Sequence, residues 1–249
     1  MKIIFFLIMV FSVFPVYAQE PAAIDLIYLT ESYPPHNYLE NGRLTGVSIE
    51  ILQLMWKKLG LSNTAADVKM LPWARGMARI QKEKNIVLFG MGYSAERSET
   101  LNWVGPYYAH SLFLIGKKEG KFSIHNLDDA KAFKVGVVRE DVGHQILVKK
   151  GFPLSSLDLT NNADSLYRKL KAGRIDMICF MEDSAFKAMP KSGLNPDNYE
   201  RLFEIFQLKS GFGFSKQVPK SVITDFQGAL DAVIQDGSVA SILKKYKLK

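Results

Sequence analysis

Apolar runs of strand length alternate with helical patterns along almost the whole chain, and this alternation restricts the fold more than any other feature. Residues 24–29 read as a strand, Tyr33-Pro34-Pro35 as a turn, and Asn41-Gly42 as the tip of a hairpin. Val47, Ile51, Leu54 and Met55 share one helical face, with Ser48 as the expected N-cap and Gly60 as the stop. Residues 68–71 form a short strand, and Pro72 opens a helix that turns Trp73, Met77 and Ile80 inward. Further along, strands are expected at 133–138, 157–160 and 174–180. Helices are expected at 142–150, at Ala163, Leu166, Tyr167 and Leu170, and twice in the tail, around Phe226 and Ile242.

Such alternation builds parallel sheets covered by helices. Two extended runs, 108–118 and 201–215, interrupt it and read as crossings between two lobes. The first lobe is then discontinuous, 19–109 plus 209–249, and the second spans 110–208. Neither crossing has the Gly/Ser composition of a flexible linker, which suits a hinge that absorbs closure around a ligand.

Residues 1–18 combine a short basic start, an apolar stretch and small residues before Gln19. That pattern predicts a secretory signal peptide cleaved after Ala18 and a mature protein in the periplasm. Cys179 is the only cysteine, which excludes an intrachain disulfide and a zinc site built from several thiolates. It is expected as a buried apolar residue. A core must therefore do what disulfides do elsewhere, and 47% hydrophobic residues supply one. The net charge of +7 is spread along helices, with no basic stripe interleaved with aromatics, so nucleic acid is not an expected partner. His36, His110, His125 and His144 show no metal-ligand spacing, and no metal or other cofactor is expected.

Function concentrates in residues 85–108, NIVLFGMGYSAERSETLNWVGPYY. An apolar strand runs into Gly90-Met91-Gly92, where a ligand could approach main-chain N–H groups closely. Arg97 then supplies a planar fork for a carboxylate. Capture of a small anion or zwitterion is the chemistry these residues suggest.

The ordered set Glu31-Ser32-Tyr33-Pro34-Pro35, GRLTGVSIE at 42–50, Glu96-Arg97 and WVGPYY at 103–108 resembles a known family. FKVGVV at 133–138, AGRID at 172–176 and GFGFSK at 211–216 continue the resemblance over nearly the whole chain. It is to the bacterial extracellular solute-binding proteins of family 3, the polar amino-acid-binding components of ABC importers, in a divergent Trp-x-Arg branch. The resemblance implies an α/β type II periplasmic binding protein fold: two lobes, each a mainly parallel sheet flanked by helices, joined by two hinge crossings. It implies that Arg97 clamps a ligand carboxylate, that Gly90, Met91 and Gly92 present main chain where relatives carry serines, and that Tyr93 compensates for the lost hydroxyls. Tyr33 matches an aromatic cover of the ligand, with core packing as the other reading.

Trp73 and Arg75 open a helix beyond a strand's carboxyl end, where open α/β sheets bind ligands. Lobe packing and a salt bridge are the alternatives for these two. In the second lobe the family's ammonium-gripping carboxylate falls on Met181, with Glu182 and Asp183 immediately after. Arg139, Glu140 and Asp141 precede a helix start at Val142: Asp141 would cap the helix and Arg139 would turn inward to the anion.

The resulting expectation is a periplasmic, monomeric, non-enzymatic binding protein that passes a small carboxylate-bearing solute, an amino acid or a relative of one, to an inner-membrane permease. Two other readings share the fold. One is a cyclohexadienyl dehydratase-like enzyme with Glu182 or Asp183 as the acid. The other is a ligand-sensing partner of a membrane receptor.

Overall fold

The computed structural model describes residues 25–248, so the expected signal peptide lies outside the described residues. Eight strands form one sheet in the order β4-β1-β5-β10-β6-β9-β7-β8, and β2 and β3 form a separate hairpin. At one end lie β1 (Ile27–Thr30), β4 (Val68–Met70) and β5 (Ile86–Gly92), mutually parallel. At the other lie β7 (Val135–Val138), β8 (Leu157–Thr160) and β9 (Met177–Met181), also parallel. Between them run two long antiparallel partners, β6 (Leu101–Lys117) and β10 (Tyr199–Ser215), which belong to both lobes. This is the two-lobed α/β architecture that the alternation implied.

Helices cover the sheet: α1 (Val47–Lys58), α2 (Trp73–Lys82), α3 (Ala95–Thr100), α4 (Val142–Lys149), α5 (Ala163–Lys171), α6 (Glu182–Ala188), α7 (Lys220–Gln235) and α8 (Ser238–Lys245). The period-two alternation of β5 divides the core. Val87 and Phe89 pack with Phe212, Phe214 and Phe226 under α1 and α7. Ile86 and Leu88 face the other way, into a cluster that continues from α2 through Tyr33 and Trp73 into the second lobe. Apolar contact therefore runs from lobe to lobe. Among the described residues no helix is long and apolar enough to cross a membrane.

The hairpin β2 (Tyr38–Glu40) and β3 (Arg43–Thr45) turns at Asn41 and Gly42, with φ of 51° and 76°, as the Asn-Gly pair predicts. Cys179 is buried and free. Two local expectations need correction. Ser48 is not the N-cap of α1; Gly46 is, and the first helical N–H groups are met by main-chain oxygens of another loop, Val47 to Pro35 and Ser48 to His36. Ser48 Oγ is thereby free to bond the Tyr107 hydroxyl at 2.8 Å. The strand expected from residue 174 begins at Met177, because Gly173 turns at φ +65° and the Asp176 carboxylate caps the Lys134 N–H instead.

Candidate functional site

The parallel strands of each lobe end, at their carboxyl termini, on the loops that meet the other lobe. Tyr33 and His36 follow β1, Trp73 follows β4, and Arg97 follows β5. Across from them, Glu140 and Asp141 follow β7 and Asp183 follows β9. Carboxyl ends of parallel strands are where open sheets present their loops, so the topology itself gathers these residues.

Arg97 is buried, 4% exposed. Ser94 caps α3 by accepting from the Arg97 N–H at 3.2 Å, which fixes where the side chain starts. The guanidinium donates to Gly92 O at 2.8 Å and, across the lobes, to Glu140 O at 3.3 Å, with its carbon 5.3 Å from the centre of the Trp73 ring. Its Nε has no partner among the described residues. Trp73 donates its own indole N–H to the same Glu140 oxygen at 2.8 Å. Glu140 sits at φ +60°, a conformation that an L side chain rarely adopts. Two donors of the first lobe thus converge on one main-chain oxygen of the second.

Charge around the guanidinium is acidic. Burial, with Asp141 adding to it, pushes the Glu31 carboxyl well above its ordinary range against the pull of Arg97. Burial likewise raises Asp141, while Arg97 and the Val142 N–H oppose it. Burial lowers Arg97, and Asp141, Glu140 and Glu31 work against that shift. A buried cation beside two carboxyls that resist ionisation retains unspent attraction for an anion.

Two cavities lie between elements of the two lobes, and the first reaches this contact at Arg97. One of about 740 Å³ is lined by Met77, Ser94, Arg97, Val142 and Leu154. The other, about 640 Å³, is lined by Tyr33, Tyr38, Met70, Tyr167, Phe180 and Lys191. Both draw walls from both lobes.

The residues singled out from the sequence divide accordingly. Arg97, Trp73 and Val142 come together; Tyr33 is buried against Phe180, ring centres 5.0 Å apart, and lines the other cavity. The space beside Gly90 and Gly92 is filled: a β-carbon on Gly90 would meet Asn37 Oδ1 at 2.5 Å, and one on Gly92 would meet Leu208 Cδ2 at 3.2 Å. These glycines admit protein side chains, not the ligand approach expected of them. Met91 is fully buried in the core. Tyr93 is exposed and leans on Trp103, rings 5.4 Å apart. Arg75 and Arg139 are exposed, and Arg139 does not turn inward as expected. Asp141 takes the capping role, accepting from Val142 N at 2.7 Å. Glu182 pairs with Arg201 at the surface instead of entering the cleft.

Asp183 does lie between the lobes, in company the sequence did not announce. His36 Nε2 stands 3.4 Å from one of its oxygens and His110 Nδ1 3.5 Å from the other. Burial would raise this carboxyl, but the facing imidazoles of His110 and His36 outweigh it and hold the group well below the carboxylate range. His110 Nε2 is 2.9 Å from Ser210 Oγ. The order Ser210–His110–Asp183 is that of a nucleophilic relay, yet Ser210 is only 3% exposed within the paired crossings, so no substrate reaches its hydroxyl. The only sequence signal for this cluster was the two histidines themselves.

Residues 26–249 match the description of the bacterial extracellular solute-binding proteins, family 3. The chain belongs to this family. It is 24% identical to a probable histidine-binding protein of Campylobacter jejuni over 226 residues, covering 88% of this chain and 82% of that protein. An L-cystine-binding protein, TcyJ of Escherichia coli, is 22% identical over 223 residues, 89% of this chain and 81% of that one. Among solved structures, a histidine kinase sensor domain with similarity to periplasmic binding proteins superposes at a TM-score of 0.77 with 18% identity, covering 89% and 96%. These neighbours share the fold of a family 3 solute-binding protein, and the matched relatives carry binding names rather than enzymatic ones.

Proposed function

We propose that this family 3 protein is a periplasmic receptor that closes on a small carboxylate-bearing solute, an amino acid or a close relative, and delivers it to an inner-membrane ABC permease. The observation that carries the reading is the buried Arg97 guanidinium, held between the lobes on the face of Trp73 with Nε unpartnered among the described residues. Histidine-binding and cystine-binding relatives support an amino acid as the class. The anionic end of the solute takes the guanidinium, and its body occupies the cavity of about 740 Å³ that Arg97 lines. Because such contacts draw on both lobes, solute shifts the population toward the closed form.

Lobe boundaries at 109/110 and 208/209 are part of the same reading. They are supported by the crossing register, in which Ala109 faces Lys209 and His110 faces Leu208. The same proposal includes a monomeric, non-enzymatic protein. A general acid must hold a proton until the reaction needs it. Asp183 is held ionised, and Glu182 is spent on Arg201.

A thermal-shift screen of amino acids, organic acids and amines on the mature protein tests the proposal. A solute at a hundredfold excess over its Kd stabilises by about 2.7 kcal/mol. The reading expects the hits to carry a carboxylate; a set of hits restricted to amines or neutral solutes contradicts it.

A further inference from the structure

Capture at Arg97 leaves the His36–His110–Asp183 cluster without a task. Its donor atoms, one from each residue, all lie within 4.8 Å of one another. Its side chains are nearly enclosed: 2% exposed for His36, 6% for His110 and 14% for Asp183. Both nitrogens of His36, Nδ1 of His110 and Oδ2 of Asp183 have no hydrogen-bond partner among the described residues. Buried polar atoms are nearly always satisfied, and several in one place call for a shared partner.

We propose that this cluster binds a divalent transition cation of the zinc class through His36 Nε2, His110 Nδ1 and a carboxylate oxygen of Asp183. Two imidazoles and one carboxylate form a donor set suited to such a cation and unsuited to magnesium or calcium, which take oxygen ligands. A tetrahedral zinc with bonds of about 2.0–2.2 Å holds its ligand atoms roughly 3.3–3.6 Å apart. The separation of His36 Nε2 from Asp183 Oδ2, 3.4 Å, matches that edge, and His110 Nδ1 stands 3.5 Å from the other oxygen of the same carboxylate.

The outer contacts fit as well. His110 Nε2 at 2.9 Å from Ser210 Oγ lets that nitrogen carry the proton, which turns the lone pair of Nδ1 toward Asp183. Asp183 Oδ1 accepts from the Ser184 N–H at 2.7 Å, which steadies the carboxylate. The Tyr108 ring walls the site at 5.2 Å from His110 and 5.8 Å from His36. The ammonium of Lys187, the nearby cation that would compete, donates to the Tyr246 carbonyl. Asp183, the most exposed of the three, marks the way in.

The ligands come from three places: the loop after β1, the crossing strand β6, and the start of α6 in the second lobe. A cation held by all three ties the lobes together, so metal adds to closure without touching Arg97. This inference stands whatever solute the protein carries.

The test is titration of untagged, chelator-stripped mature protein with zinc chloride. One equivalent should bind saturably and raise the thermal midpoint, and the same concentration of magnesium chloride should not. His36→Gln and Asp183→Asn should each weaken zinc by at least about a hundredfold, and Ser210→Ala, at a positioning residue, by about tenfold. His125→Gln, in an exposed histidine, should leave the titration unchanged. Absence of saturable zinc binding, or binding that survives His36→Gln and His110→Gln, overturns the proposal. Should those variants not fold, X-ray absorption on the zinc-loaded native chain still decides: two imidazoles in the zinc shell support the site, and fewer overturn it.

Discussion

Two of the polar contacts between the lobes have atoms that stand in opposite conditions. At the first, Trp73 and Arg97 share the Glu140 oxygen. At the second, His36 and His110 face Asp183 across 3.4 and 3.5 Å with several buried atoms unpartnered. The first contact is a main-chain acceptor meeting side-chain donors, so its geometry depends on the backbone at residue 140. The second is side chain against side chain, so it depends on where three separate segments are held. The difference teaches that closure in this fold can be secured twice, by contacts that respond to different mutations.

The largest effect is expected where the second contact is held in place. Gly46 has φ +121°, and a β-carbon there would sit 2.3 Å from the His36 main-chain oxygen. Gly46→Ala should cost about 3 kcal/mol or more in urea denaturation, since strained backbone and a main-chain clash add. It should displace the His36 loop and leave Arg97 in place; a loss below about 1 kcal/mol would show that the loop is softer than its hydrogen bonds suggest.

Glu31 sharpens the electrostatics of the first contact. Its folded pKa is raised, chiefly by burial, so its stabilising contribution is full below about 4.3 and is lost as pH rises through the raised value. Glu31→Gln should therefore be more stable than the native protein at pH 7, by on the order of 1 kcal/mol, and show a smaller decline between pH 4 and pH 7. Part of the decline should remain, because Asp141 is shifted in the same direction. A less stable Glu31→Gln protein would mean that Glu31 is ionised and paired with Arg97.

Trp73→Phe keeps the ring but removes the indole donor to Glu140 O, and about 0.5–1.5 kcal/mol should go with it. An unchanged denaturation midpoint would assign the whole contact to Arg97. The smallest effects are expected at Arg139→Ala and Glu182→Gln. Arg139 is exposed, and Glu182 pairs with a half-exposed arginine at the surface. Changes within about 0.5 kcal/mol for Arg139 and 1 kcal/mol for Glu182 are expected in stability, with solute affinity unaltered in calorimetry.

How much of this was legible in the sequence follows the same division. The parallel strands were legible because they are apolar runs, and Arg97 because its position in an ordered motif fixed it at the exit of β5. Ser48 was misread because its helix is capped by carbonyls from a distant loop, which a local capping rule does not see. Gly90 was misread because the freedom it offers is used by Asn37, a residue of another segment. The cluster around Asp183 was invisible for the same reason. His36, His110 and Asp183 have no spacing on any one element, and only the pairing of β6 with β9 and the turn after β1 bring them together. Contacts within one element could be read; contacts made by topology could not.

Calorimetric titration of Arg97→Ala with the solute found by screening tests the central claim most directly. The account predicts a loss of about 1.5–3 kcal/mol, roughly ten- to 150-fold in Kd, with the protein still folded. An affinity equal to that of the native protein would contradict it.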